Sequence, residues 1–142
     1  MGEITDKNTR ILENSPSYED ASLEGLFAPE EFCNAVNSLI ESKGLSAKYI
    51  NEHVTMSKSR YYEILDYNNT KNPPPRNRII DLCLGIGATK DELNELLRHA
   101  QHKVLDSRGQ ELDRIVIWGL GQAKTGDEIR EVLSEHGYKE FE

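Results

Sequence analysis

The 142-residue sequence predicts an all-α fold. Three features predict it: apolar side chains recurring at three- and four-residue spacing, cap-forming residues ahead of each recurrence, and no strand-like alternation along the chain. A chain of this length buries about two-thirds of its unfolded surface without a metal or disulfide staple.

Pro29 opens the first helix, and Glu30 and Glu31 suit the positive end of its dipole. Phe32, Val36, Leu39 and Ile40 follow at i, i+4, i+7 and i+8, and Gly44 is expected to end the helix as a left-handed cap. Ser46 caps a short second helix with Tyr49, Ile50 and Val54 on its inner face. Thr55-Met56 is a tight connection. Ser57 caps a third helix in which Tyr61, Ile64 and Leu65 recur on one side, and one of the adjacent pair Tyr61-Tyr62 is expected in the core. Asn68-Asn69-Thr70-Lys71-Asn72-Pro73-Pro74-Pro75 cannot be regular helix, because proline lacks the donor and restricts its predecessor. A fourth helix starts near Pro75, carries Ile79, Ile80, Leu82, Cys83 and Leu84, and ends at Gly85 or Gly87. Thr89 with Glu92 is a capping box opening a fifth, with Leu93, Leu96 and Leu97.

The pattern then repeats at an offset of 36. Arg78-Ile79-Ile80 returns as Arg114-Ile115-Val116, and Leu84-Gly85 returns as Leu120-Gly121. Thr89, Asp91, Glu92, Glu95 and Leu97 return as Thr125, Asp127, Glu128, Glu131 and Leu133. The chain therefore divides into an acidic arm (1–28), a five-helix region (29–105) and a C-terminal helical hairpin (106–142). The hairpin is expected to pack on the fourth and fifth helices and extend their core. Its apolar face, with Trp118, is a candidate surface for another subunit. In the arm, Leu23, Leu26 and Phe27 could dock on the body as a short helix.

The formal charge is −8, which disfavours a polyanionic partner, yet its distribution matters more than its sum. Residues 1–28 carry two positive and six negative side chains, and residues 106–142 carry five and nine. Residues 29–105 carry ten of each, so the middle is neutral and free to present a basic face.

Two short helices joined by a tight turn, the second opening with small polar and basic residues, are the sequence form of a helix-turn-helix. In it the second helix bares its N-terminal side chains to a groove as wide as a helix. Leu39-Ile40-Glu41-Ser42-Lys43-Gly44-Leu45-Ser46, Met56-Ser57-Lys58-Ser59-Arg60-Tyr61-Tyr62-Glu63-Ile64 and Ile79-Ile80-Asp81-Leu82-Cys83-Leu84-Gly85-Ile86, leading to Asp91-Glu92-Leu93, carry a closer likeness. Over about half its length the chain resembles the lambda-repressor-like, xenobiotic-response-element type helix-turn-helix family. The resemblance implies a five-helix bundle whose third helix reads the major groove of double-stranded DNA. It also implies base or backbone contacts at Ala47, Lys58, Ser59, Arg60, Tyr62 and Glu63, and phosphate contacts from Asn68, Asn69 and Lys71. Two positions depart from the family pattern: Asn51 stands where alanine is usual, and Thr55 where glycine is usual. Arg76 and Arg78, beside the proline segment, could extend the phosphate track, although Arg78 recurs as Arg114 and could simply brace the hairpin.

Signals for chemistry are weak. His99 and His102 share a helix face but lack a set of partners at zinc spacing. His136 reads as a charge at a helix C-terminus before Gly137. Gly85-Ile86-Gly87 and Gly119-Leu120-Gly121 lack the strand and basic residue of a phosphate loop and read as helix ends or close backbone approaches. The acidic residues are expected on helix surfaces. Neither a metal, a cofactor nor an enzymatic activity is expected. No apolar run nears the ~18 residues of a membrane span, no secretory signal pattern stands at the start, and Cys33 and Cys83 lie in apolar helical patterns. The expected setting is cytoplasmic, and the expected function is transcriptional regulation by a homodimer. A protein partner could take the acidic arm or the hairpin. The rival expectation is a helical protein–protein adaptor that keeps the bundle without binding DNA.

Overall fold

A computed structural model describes residues 27–66 and 72–138. Seven helices order them: α1 (Pro29–Lys43), α2 (Ala47–His53), α3 (Lys58–Leu65), α4 (Arg76–Ile86), α5 (Lys90–His99), α6 (Glu111–Gly121) and α7 (Gly126–Glu135). No strand occurs among the described residues.

Local chemistry sets the ends. Ser46 and Ser57 accept from the backbone N–H groups of Tyr49 and Arg60, and Thr89 and Thr125 each complete a capping box, with Glu92 and Glu128. Gly44 ends α1 at φ 65°. Of the two glycines expected to end α4, Gly87 does so (φ 71°), and Gly85 lies two residues earlier, within the last turn. Phe27 packs on Phe32 with ring centroids 5.7 Å apart. Leu23 and Leu26 lie outside the described residues.

α4 is the hub. Every residue from Ile79 to Ile86 is buried, as a helix apolar on all sides requires. Its neighbours are α2, α5 and α7; α1 packs on α3 and α5, and α6 packs on α5 and α7. One apolar core runs through all of them from Phe32 to Leu133. Two contacts with backbone demand the absence of a side chain. A Cβ on Gly85 would lie 2.9 Å from the His53 carbonyl oxygen, and one on Gly126 would fall on the Leu84 carbonyl. Through these two glycines, α2 and α7 meet the backbone of α4 directly.

The 36-residue repeat persists down to main-chain bonds. The Ala88 N–H donates to Cys83 O and the Lys124 N–H to Gly119 O, each at 2.9 Å; His102 to Leu97 O and Tyr138 to Leu133 O follow at 2.8 Å. These close left-handed helix ends. The left-handed positions correspond across the offset even where glycine does not: Gly87 (71°) matches Ala123 (55°), and Gln101 (63°) matches Gly137 (93°).

Polar groups tie the pieces together. Arg76 forms a two-pronged pair with Asp113 at 2.8 Å for each prong and also donates to the carbonyls of Lys103 (2.8 Å) and Val104 (3.2 Å). This corrects the expectation that Arg76 faces phosphate, since its guanidinium is consumed joining α4 to α6. Asp113, buried, likewise corrects the placing of acidic residues on helix surfaces. Lys43 of α1 reaches Glu92 of α5 at 2.7 Å. Partial burial pushes the Glu92 carboxyl up, but the Lys43 ammonium and the Thr89 N–H and hydroxyl outweigh it and leave the carboxyl below its usual value.

Three outcomes follow for urea or acid unfolding. Gly126→Ala should destabilise by about 1–3 kcal/mol, because backbone cannot yield as a side chain does. Ala123→Gly should stabilise by about 1 kcal/mol, by relieving left-handed strain. The Glu92 contribution is full above the ordinary carboxyl range and is lost as pH falls through its lowered folded value. Lys43→Met should therefore reduce the stability lost below about pH 4.

Candidate nucleic-acid interface

α2, the Val54–Ser57 turn and α3 form the unit that carries six of the nine sequence-predicted site residues, Ala47 on α2 and Lys58, Ser59, Arg60, Tyr62 and Glu63 on α3. The turn is held from beneath by Asp81 of α4, which is wholly buried. Its carboxylate accepts the Thr55 N–H at 2.9 and 3.0 Å and the Met56 N–H at 2.9 Å. A buried charge of this kind is tolerated only when paired. The pairing comes from Arg130 of α7, whose Nη1 meets Asp81 Oδ1. The second terminal nitrogen of Arg130 donates to the His53 carbonyl at 2.9 Å and to the Asp81 carbonyl at 2.7 Å. Asp81 thus corrects the surface expectation a second time. Neither it nor Arg130 was singled out from sequence. The available signal was a lone carboxylate inside Ile79-Ile80-Asp81-Leu82-Cys83-Leu84, a run with no solvent face.

α3 is anchored on its inner side. Tyr61 and Ile64 are buried. Cys33 Sγ donates to the Ile64 carbonyl at 3.1 Å, and Asn37 Nδ2 donates to the Leu65 carbonyl at 3.2 Å, so α1 satisfies carbonyls that α3 leaves open at its end. Burial, with Tyr62 beside it, pushes the Tyr61 phenol above its usual value, and the ring stays neutral. Tyr61 is the core member of the tyrosine pair, whereas Tyr62 is 44 % exposed with its ring edge-on to Tyr61 at 5.1 Å.

The outer side carries Lys58, Ser59, Arg60, Tyr62 and Glu63, all exposed. Arg60 pairs with Glu63 at 3.7 Å, with both side chains half exposed, a geometry of little energetic weight. Ala47, the first residue of α2, is half-buried against the core. Asn68, Asn69 and Lys71 lie outside the described residues. Two further details depart from expectation. Tyr49 is exposed and stacks on His53 with centroids 3.9 Å apart, instead of facing inward with Ile50. Asn51 donates to the Ala47 carbonyl at 2.8 Å, while its buried Oδ1 has no hydrogen-bond partner among the described residues.

The charge pattern at helix openings is uneven. α1, α5, α6 and α7 place acidic residues in their first turns, as helix dipoles favour. α2, α3 and α4 place none and carry Lys48, Lys58 and Arg60, and Arg76 and Arg78, there instead, Arg76 being taken up by Asp113. Cations at a positive helix end repel it, and an anion placed there gains from both. His102 Nε2 lies 2.6 Å from the Pro74 carbonyl, and His99 lies 3.5 Å from Glu95. His136 caps α7, 3.5 Å from Glu111. Comparison with protein-family models, curated proteins and solved structures finds no match to this chain.

Removing one partner of the buried pair should cost more than removing both. Arg130→Ala strands the Asp81 charge and should destabilise by roughly 3–5 kcal/mol, whereas Arg130→Met with Asp81→Asn should recover part of that loss. Denaturant unfolding of the two variants against the wild type measures the difference.

Proposed function

We propose that this chain is a DNA-binding transcriptional regulator of the lambda-repressor-like helix-turn-helix type. In this reading α1–α5 form the five-helix bundle, the α6–α7 hairpin is appended to it, and α3 enters the major groove. One observation carries the reading: α3 opens with Lys58, Ser59 and Arg60 bare and no acidic residue in its first turn, while Tyr61 and Ile64 hold its back. Lys58 and Ser59 then meet base edges together with Tyr62 and Glu63. Arg60 joins Asn68, Asn69 and Lys71 on phosphates, and Ala47 lies near the backbone. Paired half-sites call for a homodimer. The acidic sequence outside the bundle weakens non-specific attraction to DNA and leaves the specific contacts to decide. The cytoplasmic setting belongs to this proposal as well.

A second reading, a helical adaptor for a polypeptide, is favoured by the charge of −8 and by the exposed rings of Tyr49, Tyr62 and Trp118. Selection from random duplex DNA at moderate salt separates the two. An enriched motif whose affinity falls steeply with salt supports the regulator, and recovery of no motif supports the adaptor. The double variant Lys58→Ala, Arg60→Ala should bind the enriched duplex at least tenfold more weakly, about 1.4 kcal/mol, with its helical circular dichroism intact. Equal binding would remove α3 from the role of reader.

A further inference from the structure

Among the described residues, the second helical pair leaves partly open the face that its counterpart in the first pair buries, Ile115 being buried, Val132 half-buried and Trp118 exposed. Across the offset of 36, Ile79, Leu82 and Leu96 correspond to Ile115, Trp118 and Val132. Leu82 is 1 % exposed, whereas Trp118 is 47 % exposed. The reason lies in the packing order. α4 and α5 have neighbours on two sides, α2 and α1 on one and α7 and α6 on the other. Among the described residues, the main neighbours of α6 and α7 are α4, α5 and each other. Ile115, Trp118 and Val132, with Glu111 and Arg114, line a cleft of about 280 Å³ on the uncovered side.

We propose that this cleft is the contact face for a second copy of the chain, related by a twofold axis. The inference deepens the homodimer of the preceding reading by naming its surface. The charges beside the cleft favour a copy over another partner. Glu111 and Arg114 lie three residues apart on α6, one of each sign, so the patch is its own electrostatic complement under twofold rotation. Each Arg114 then meets the Glu111 of the other copy, and each Trp118 ring enters the cleft of the other. Among the described residues, Arg114 is held by a bond to the Gly109 carbonyl at 2.8 Å, and Glu111 pairs with the half-exposed His136. Neither is committed to a buried partner. A tryptophan bridging two apolar clefts is the kind of central anchor that dominates association.

The test uses the full chain without DNA, so the contact face and the DNA reading fail independently. Sedimentation should show a reversible dimer forming at micromolar to sub-millimolar concentration, as expected of a small interface. Trp118 is the only tryptophan, so its emission should shift to the blue as the mass doubles. Trp118→Glu should remain monomeric up to about 1 mM with its circular dichroism unchanged. Glu111→Arg and Arg114→Glu should each weaken the dimer by roughly three- to tenfold, and the two together should restore it. A wild-type chain monomeric throughout that range overturns the proposal, as does a dimer that survives Trp118→Glu or forms without a change in emission. Failure of the double reversal to restore association overturns the twofold pairing.

Discussion

The Asp81 carboxylate is the constraint on which the rest of the structure depends. A charge with no solvent exposure must be surrounded by donors, and here they come from two places distant in sequence. Two are backbone N–H groups of the turn between α2 and α3, and the others belong to the Arg130 guanidinium on α7. One side chain of α4 therefore fixes the turn, and through it the angle at which α3 leaves the body. Replacing the pair by well-packed apolar residues would cost little energy, but would remove the register it imposes. The close approaches at Gly85 and Gly126 serve the same end, by bringing α2 and α7 within reach of that carboxylate.

The sequence was most legible where a residue's role is decided locally. Ser46, Ser57, Thr89 with Glu92 and Thr125 with Glu128 act as caps because capping needs only the next three residues. It was less legible where a role depends on what lies across the fold. Asp113, Arg76 and Arg130 look like ordinary surface charges, and only tertiary packing takes them out of water and pairs them, Arg76 with Asp113 and Arg130 with Asp81. Tyr49 shows the reverse error. It lies next to Ile50, about 100° around the helix axis, and the narrow buried face of α2 is taken by Ile50 while Tyr49 is exposed. At the candidate interface, the outward set on α3 follows from placing Tyr61 and Ile64 inward. Nothing local marks Ala47 as half-buried.

The tandem arrangement shows how the helical layers are matched. The two pairs share capping boxes and left-handed ends, and they differ where their surroundings differ. Leu82 and Trp118 occupy equivalent places, one in the core and one at the surface. Asn94, buried, donates nothing to the second pair and instead accepts the Leu105 N–H at 2.9 Å, while its equivalent, Arg130, reaches back to α4. Equivalent backbone positions thus carry different connecting chemistry: one fastens the link between the pairs and the other fastens the second pair to the turn.

The reach of Arg130 also has a consequence for assembly in time. Its partner carbonyl on His53 lies 77 residues earlier in the chain. During vectorial synthesis α2, the turn and α3 are made before the guanidinium that neutralises the carboxylate beneath them. Until then Asp81 lacks its cationic partner, and the turn above it is incompletely held. The turn ahead of Ser57 is therefore fully braced only once α7 is in place beneath it.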